Sequence, residues 1–386
     1  MNNFLLLSIR PRLVTKAVRV CLAGCLLGLI GFVPVANAQI VLDFSDDLAN
    51  QNFFANNPVA RAALEAAVAD INAAIVFDLS AAEDITTGTA GTTSFDFDFL
   101  YNYSNPTTGG QQVIENASLP ENVYRIFVGA RTLGGSTLGV GGAGASGFSA
   151  SGTVGSGSVA DAVADAEAND THRRGGGPLI GTLSGVFGDG TTFSFEIGLG
   201  VGSLVFDDDA NWHFDHTIPV AAGTNDFYSV ALHEIMHTLG VGSSESWSSM
   251  ISGTTWLGNE VITSNGTGTG IVDLDGDHFA QNLMSPRISD GVMQEIVIDP
   301  NLTLGTRKGL TQLDLAVLRD IGFQTNEFAP ILLGDINLDG VVSFSDISPF
   351  ISILSTGGFQ AEADLNQSGV VDFSDISPFI GVLSQQ

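Results

Sequence analysis

The chain has 386 residues, 44% of them hydrophobic, enough for one large or two unequal domains with a real core, which excludes a disordered tail. Lys and Arg total 13 against 42 Asp and Glu, a formal net charge of −29, so the basic surface that phosphate binding needs is missing and nucleic acid is excluded as a partner. Divalent cations suit this balance, but a solvated surface that keeps an exported protein soluble explains the same acidity, so only carboxylates at ligand spacing are informative.

Residues 1–38 read as an export signal. Arg10, Arg12, Lys16 and Arg19 precede an apolar run over 20–35, and Ala36-Asn37-Ala38 follows, so that cleavage leaves Gln39 first. The run is too short for a comfortable membrane span, and no other stretch reaches the roughly 18 apolar residues of a transmembrane helix. The expectation is a secreted chain, extracellular or cell-surface associated. Leu22-Ala23-Gly24-Cys25 also spells a lipoprotein cleavage box, although the apolar run continues past it. Both cysteines, Cys21 and Cys25, lie inside the signal, so the mature chain is expected to have neither a disulfide nor a thiol ligand.

Apolar spacing predicts a strand over 40–44 and an Ala-rich helix over 58–75. Alternation predicts strands over 94–101, 123–128, 192–197 and 203–206. Between 132 and 157 the chain is rich in Gly and Ser. Gly139, Gly141 and Gly144 match a dinucleotide fingerprint there, but no helix follows, and the stretch reads as a flexible loop. Helices are expected over 228–239 and 310–321, the second stopped by Gly322. From 334 onward the chain repeats itself: the octad beginning at Phe344 recurs at Phe373, 373 − 344 = 29 residues on. The predicted layout is a signal over 1–38, an α+β domain over 39–325, a linker over 326–333 containing Pro330, and a small helical module over 334–386.

His233-Glu234-Ile235-Met236-His237 lies inside the first of those helices. Residues four apart share a helix face, so both imidazoles can reach one ion while Glu234 addresses a water bound to it. Zinc at such a site lowers the water's pKa and polarises a scissile carbonyl, and the glutamate takes the proton and passes it to the leaving amine. The plainer alternative is two surface histidines on an ordinary helix. After His237 comes Thr238-Leu239-Gly240-Val241-Gly242-Ser243, with a glycine where the helix must break.

Here the sequence resembles the metzincin peptidases, whose signature runs from this glycine to a third histidine. That position holds Ser243, so the third ligand must come from elsewhere. The candidate is His278, 278 − 237 = 41 residues past the second histidine and 284 − 278 = 6 before Met284. This layout resembles the leishmanolysin-type metzincins, and Leu283-Met284-Ser285-Pro286 fits their methionine turn. The resemblance implies a twisted mixed sheet with a zinc helix, a peptide substrate, and Met284 as an apolar floor beneath the metal. His213 and His216 remain alternative ligands. Upstream, the stretches from Phe206 to Trp212 and from Thr224 to Phe227 are similar to the matrixin approach to the zinc helix. That likeness implies Asp207, Asp208 and Asp209 as calcium candidates, against the reading of a solvated turn. Glu260, Asp273, Asp275 and Asp277 read as loop solvation, with calcium as the alternative. A cysteine switch, the latency device of many matrixins, is impossible without a mature cysteine.

In the C-terminal repeat, Asp335, Asn337, Asp339, Gly340, Ser343 and Asp346 occupy positions 1, 3, 5, 6, 9 and 12 of a twelve-residue calcium loop. Asp364, Asn366, Ser368, Gly369, Asp372 and Asp375 repeat the pattern, and the carbonyls of Val341 and Val370 serve position 7. Asp at position 12 and a single helix after each loop resemble dockerin repeats. The resemblance implies a cohesin-like scaffold or surface partner, with Phe344-Ser345 and Phe373-Ser374 as a two-fold face; the alternative is a free-standing calcium-stabilised tail. Three functions compete: a secreted zinc endopeptidase, a catalytically silent metzincin-like binding protein, and a calcium-bound surface protein. Glu234 favours the first, since a silent scaffold has no reason to keep it.

Overall fold

The computed structural model describes residues 39–115, 118–326, 333–366 and 370–384. Residues 1–38, expected as an export signal, most of the expected linker with Pro330, and Ser368 and Gly369 lie outside them. No helix among the described residues is long and apolar enough to cross a membrane.

The central sheet is built from β1 (Gln39–Asp43), β5 (Val123–Ala130), β10 (Val201–Phe206) and β6 (Gly139–Ala143), in that spatial order. The first three are parallel and β6 runs antiparallel at the edge. Alternation along β5 sends Tyr124, Ile126 and Val128 to one face and Phe127 to the other. The first face packs on two helices, α1 (Pro58–Ala74) and α3 (Phe227–Thr238). Helix α1 opens with Pro58, whose missing N–H costs nothing in the first turn. It buries Ala60, Ala63, Leu64, Ala67 and Ile71, and small side chains on that stripe allow close packing against α3. The Tyr228 hydroxyl of α3 donates to Asp70 of α1.

Phe127 on the opposite face stacks on Tyr103, centroids 3.9 Å apart. Tyr103 belongs to β3 (Thr93–Ser104), the spine of a second sheet that pairs with β2 (Ile85–Ala90), β4 (Gln111–Glu115) and β7 (Ala145–Thr153). The other half of β3 turns Phe95, Phe97 and Phe99 into an aromatic cluster with Phe195 and with α2 (Val159–Asn169). Phe195 lies on β9 (Thr192–Ile197), the hairpin partner of β8 (Gly181–Val186). The Gly- and Ser-rich stretch expected as a flexible loop is therefore two strands, β6 and β7, joined at Gly144. Further on, β11 (Met284–Pro286) and β12 (Met293–Glu295) form a short hairpin, and α4 (Gln312–Asp320) is the helix expected over 310–321.

In the C-terminal repeat, α5 (Ile347–Thr356) and α6 (Ile376–Leu383) each follow a calcium-type loop. Phe350 and Phe379, equivalent in the repeat, meet with ring centroids 4.5 Å apart inside a cluster of Ile336, Ala363, Leu365 and Val371.

One buried cation ties the start of β5 to three connecting segments. Arg174 is 1% exposed and donates to the carbonyls of Ser80, Leu199, Pro120 and Val123 at 3.0, 2.8, 2.6 and 3.1 Å. Arg174→Met keeps the bulk but leaves those carbonyls unpaired. It is expected to lower the unfolding free energy by about 3 kcal/mol or more, measured by urea denaturation; a loss under about 1 kcal/mol would contradict this role.

Candidate metal centre

Helix α3 starts on Asp226, which caps the Ser229 N–H at 3.1 Å and is itself paired with Arg307 at 2.7 Å. Its other end is a Schellman motif. Val241 N–H donates to Met236 O and Gly240 N–H to His237 O, with Gly240 at φ +93°. The Tyr124 hydroxyl reaches across from β5 to the Thr238 carbonyl at 2.6 Å. The helix carrying the metal-type motif is thus fixed at both ends.

His233 and His237 face the same cleft, and His278 comes to them from the following loop. The three Nε2 atoms lie 3.1, 3.1 and 3.2 Å apart. Each ring is held by its other nitrogen: Nδ1 of His233 on Val297 O at 2.8 Å, of His237 on Val241 O at 2.9 Å, and of His278 on the Asp277 carboxylate at 2.8 Å. Carbonyls and carboxylates only accept, so the proton of each neutral ring sits on Nδ1 and each Nε2 presents a lone pair. Three lone pairs converging with no proton between them form a cation site, and the donor set and spacing fit zinc at ~2.0–2.1 Å from each nitrogen. Burial holds the His233 pKa well below the ordinary value and that of His237 down at about 4, so neither ring is protonated at neutral pH.

The Val241 carbonyl is where it is because of the Schellman turn. The Val297 carbonyl is placed by Asp314 at the start of α4: its buried carboxylate accepts from Val297 N–H at 3.0 and 3.1 Å while closing a capping box with Thr311. The His278 loop approaches because residue 242 is glycine. It has φ +83°, and a Cβ there would stand 2.5 Å from Asp277 O and 3.0 Å from His237 Nδ1.

Glu234 is 6% exposed, and burial pushes its carboxyl up to about 8, opposed by a hydrogen bond from Gly141 N–H. Strand β6 lies directly over it. A Cβ on Gly141 would fall 2.0 Å from Glu234 O, and one on Gly139 2.7 Å from Glu234 Cγ. Glu234, the three histidines, β6, Val297 and Ser243 line one cleft of about 1030 Å³. Lys308, also on the cleft, donates to Asn301 O at 2.7 Å and lies 3.1 Å from Glu295.

Met284 does not form the apolar floor expected of it. It is 48% exposed and off the cleft, because the β11 pleat turns Ser285 inward, where its Oγ accepts from Leu313 N–H at 3.0 Å, and so turns Met284 outward. Buried Val297 lines the cleft instead. His213 Nε2 is engaged with Asp215 O at 2.9 Å, and neither His213 nor His216 joins the histidine triangle. Asp277 and Asp273 do more than solvate the loop: the first orients His278, and the second accepts from Gly276 N–H at 2.7 Å. Glu260 pairs with Arg319 at 2.8 Å, while Asp275 is exposed. Asp207, Asp208 and Asp209 gather their carboxylates within 4.8 Å, with Asp207 accepting from Leu133 N–H and Asp208 from Thr132.

In the C-terminal loops four carboxylates, those of Asp335, Asp346, Asp364 and Asp375, fold inward, while Asp339 and Asp372 are exposed. Asp335 accepts from Asp339 and Gly340 N–H, and Asp346 from Asn337 and Ser343 N–H. Asp375 repeats this with Asn366 and Asp372. Asp335, Asp346, Asp364 and Asp375 are all buried, whereas Phe344 and Phe373 stand 79% and 80% exposed.

The orienting contacts can be tested without touching a ligand. Asp277→Ala and Gly242→Ala are each expected to weaken zinc binding by about 10–100-fold, read by competition with a chromogenic chelator. Wild-type affinity in both variants would mean that His278 is not held as described.

The family profile of the matrixin peptidases matches residues 188–262, a segment that contains His233, Glu234 and His237 and ends before His278. Searches of curated proteins and of solved structures return no match. This partial match, together with the histidine cluster, supports a metzincin-type zinc metalloprotease.

Proposed function

We propose that the chain is a secreted zinc-dependent endopeptidase in which His233, His237 and His278 hold the metal and Glu234 is the general base. The observation that carries this reading is that the three Nε2 lone pairs and the buried Glu234 carboxyl open onto the same cleft. Zinc there would supply the Lewis acid that activates water and polarises the scissile carbonyl. Glu234 takes the proton of the attacking water and delivers it to the departing amine, and its raised pKa suits a group that must both accept and return a proton near neutrality. Beside the cleft, β6 has no second strand partner among the described residues, so its outer edge can meet an extended peptide. The competing reading, a silent binding protein, gives the buried Glu234 no task.

Glu234→Gln keeps the shape that fits beneath Gly139 and Gly141 but cannot take a proton. It is expected to retain zinc and to cleave casein about 10²–10⁴-fold more slowly. Wild-type turnover by this variant would remove Glu234 from the mechanism, and a zinc-loaded wild type that cleaves nothing would favour the silent alternative.

The C-terminal loops belong to the same proposal as a dockerin-like calcium module, with a cohesin-like scaffold as its partner. Support comes from the inward carboxylates and from the two-fold repeat that places Phe344 and Phe373 outside. Buried carboxylates crowded into a loop repel one another, so a bound cation should order it. In the full chain, calcium is expected to protect residues 334–384 from limited proteolysis, and Asp335→Ala with Asp364→Ala to abolish the protection. Equal protection in chelator would make these loops ordinary turns.

A further inference from the structure

Beside the metal cleft the structure holds a second hollow, of about 490 Å³. The two share Ala210 and Asn211 along one rim, but none of His233, His237 and His278 lines the second. Its aromatic lining is Phe53, Trp212 and Phe214, all half-buried. The Phe214 ring centroid lies 6.2 Å from that of Phe53 and 6.3 Å from that of Trp212, so the three rings form one apolar patch. Both ends of the patch are fixed. The buried Asp47 carboxylate accepts from the N–H groups of Phe53 and Phe54 at 3.0 Å each, and the Trp212 indole N–H donates to Asp207 O at 2.8 Å. A ligand therefore meets a preformed surface and pays little for ordering it.

Four amides share the hollow with the rings: Gln51, Asn56, Asn57 and Asn211. Asn57 Nδ2 donates to Phe53 O at 2.9 Å and Asn211 Nδ2 to Gly223 O at 3.0 Å, which leaves each carbonyl oxygen without a donor among the described residues. Gln51 and Asn56 are exposed. No Lys or Arg lines the hollow and Asp208 is its one charged residue, so an anionic ligand is repelled. A saccharide ring carries slightly positive C–H groups on its faces, which suit the negative face of an aromatic ring. Its rim carries hydroxyls, which both donate and accept, as amides do. A quaternary ammonium also suits the rings and Asp208, but it would strip water from four amides and offer them no partner.

We infer that this hollow is a binding subsite for a neutral saccharide unit, separate from the metal centre and independent of whether the chain cleaves peptides. Phe53, Trp212 and Phe214 supply the stacking surface, and the four amides supply the hydroxyl contacts. Free polysaccharide and glycan linked to polypeptide present the same ring chemistry to it.

The test titrates the full chain with neutral hexasaccharides of glucose, mannose, galactose and N-acetylglucosamine, each free and linked to a short peptide, by isothermal calorimetry and tryptophan fluorescence. Trp212 is the reporter, because Trp247 and Trp256 are only 1% and 0% exposed. At least one sugar is expected to bind with a dissociation constant below about 1 mM and to shift the emission. Gln51→Ala with Asn56→Ala, at two exposed positions outside the core, is expected to weaken that binding about tenfold or more. Equal affinity for the free and linked forms supports a polysaccharide ligand, and tighter binding of the linked form supports a glycan on polypeptide. No binding by any sugar of the set would overturn the inference. So would binding that leaves the emission unchanged or is indifferent to the double variant, and so would an emission that choline shifts and the sugars do not.

Discussion

Three hydrogen bonds that pin three imidazoles by their Nδ1 atoms are the constraint on which the rest of the site depends. Without them each ring could rotate or change tautomer, and the Nε2 atoms would not meet. With them, lone pairs about 3 Å apart repel until a cation arrives, and burial disfavours protonation of His233 and His237 as a way out. The acceptors come from separate parts of the chain: the Val241 carbonyl from the helix C-cap, the Val297 carbonyl from a segment held by Asp314, and the Asp277 carboxylate from a loop that only Gly242 lets close. A change far from the ligands in sequence is therefore a change in metal geometry.

The same close packing shields the glutamate. Strand β6 approaches α3 at the distance of a bare backbone, which buries the flank of Glu234 and raises its proton affinity. The glycines that permit this approach are Gly139 and Gly141, where any side chain would meet Glu234.

What could be read from the sequence was whatever leaves a periodic side-chain signature. The helix over 58–75, the strands over 94–101 and 123–128 and the helix around His233 lie within a few residues of α1, β3, β5 and α3, since alternating or helically spaced apolar residues reflect one-sided burial. His278, expected from a spacing that resembles the leishmanolysin-type metzincins, does converge with His233 and His237. What could not be read was work done by the backbone. Strands β6 and β7 lack the side-chain alternation that marks a strand, so Gly and Ser there suggested a loop. Two of the three acceptors that orient the histidines are carbonyls, which any residue supplies. Met284 misled because Leu283-Met284-Ser285-Pro286 is a local pattern, whereas the direction Met284 faces is set by pairing with β12. Asp277 carried a faint signal as a carboxylate adjoining a candidate ligand.

The most direct test of the central claim is X-ray absorption at the zinc edge of the full, metal-loaded protein, which reports the number and type of ligands without relying on activity. The account predicts one zinc per chain with three imidazole nitrogens at ~2.0–2.1 Å and a further light-atom ligand. A spectrum fitted by two imidazoles, or by carboxylate oxygens in place of the third, would contradict the convergence of His233, His237 and His278 on one ion.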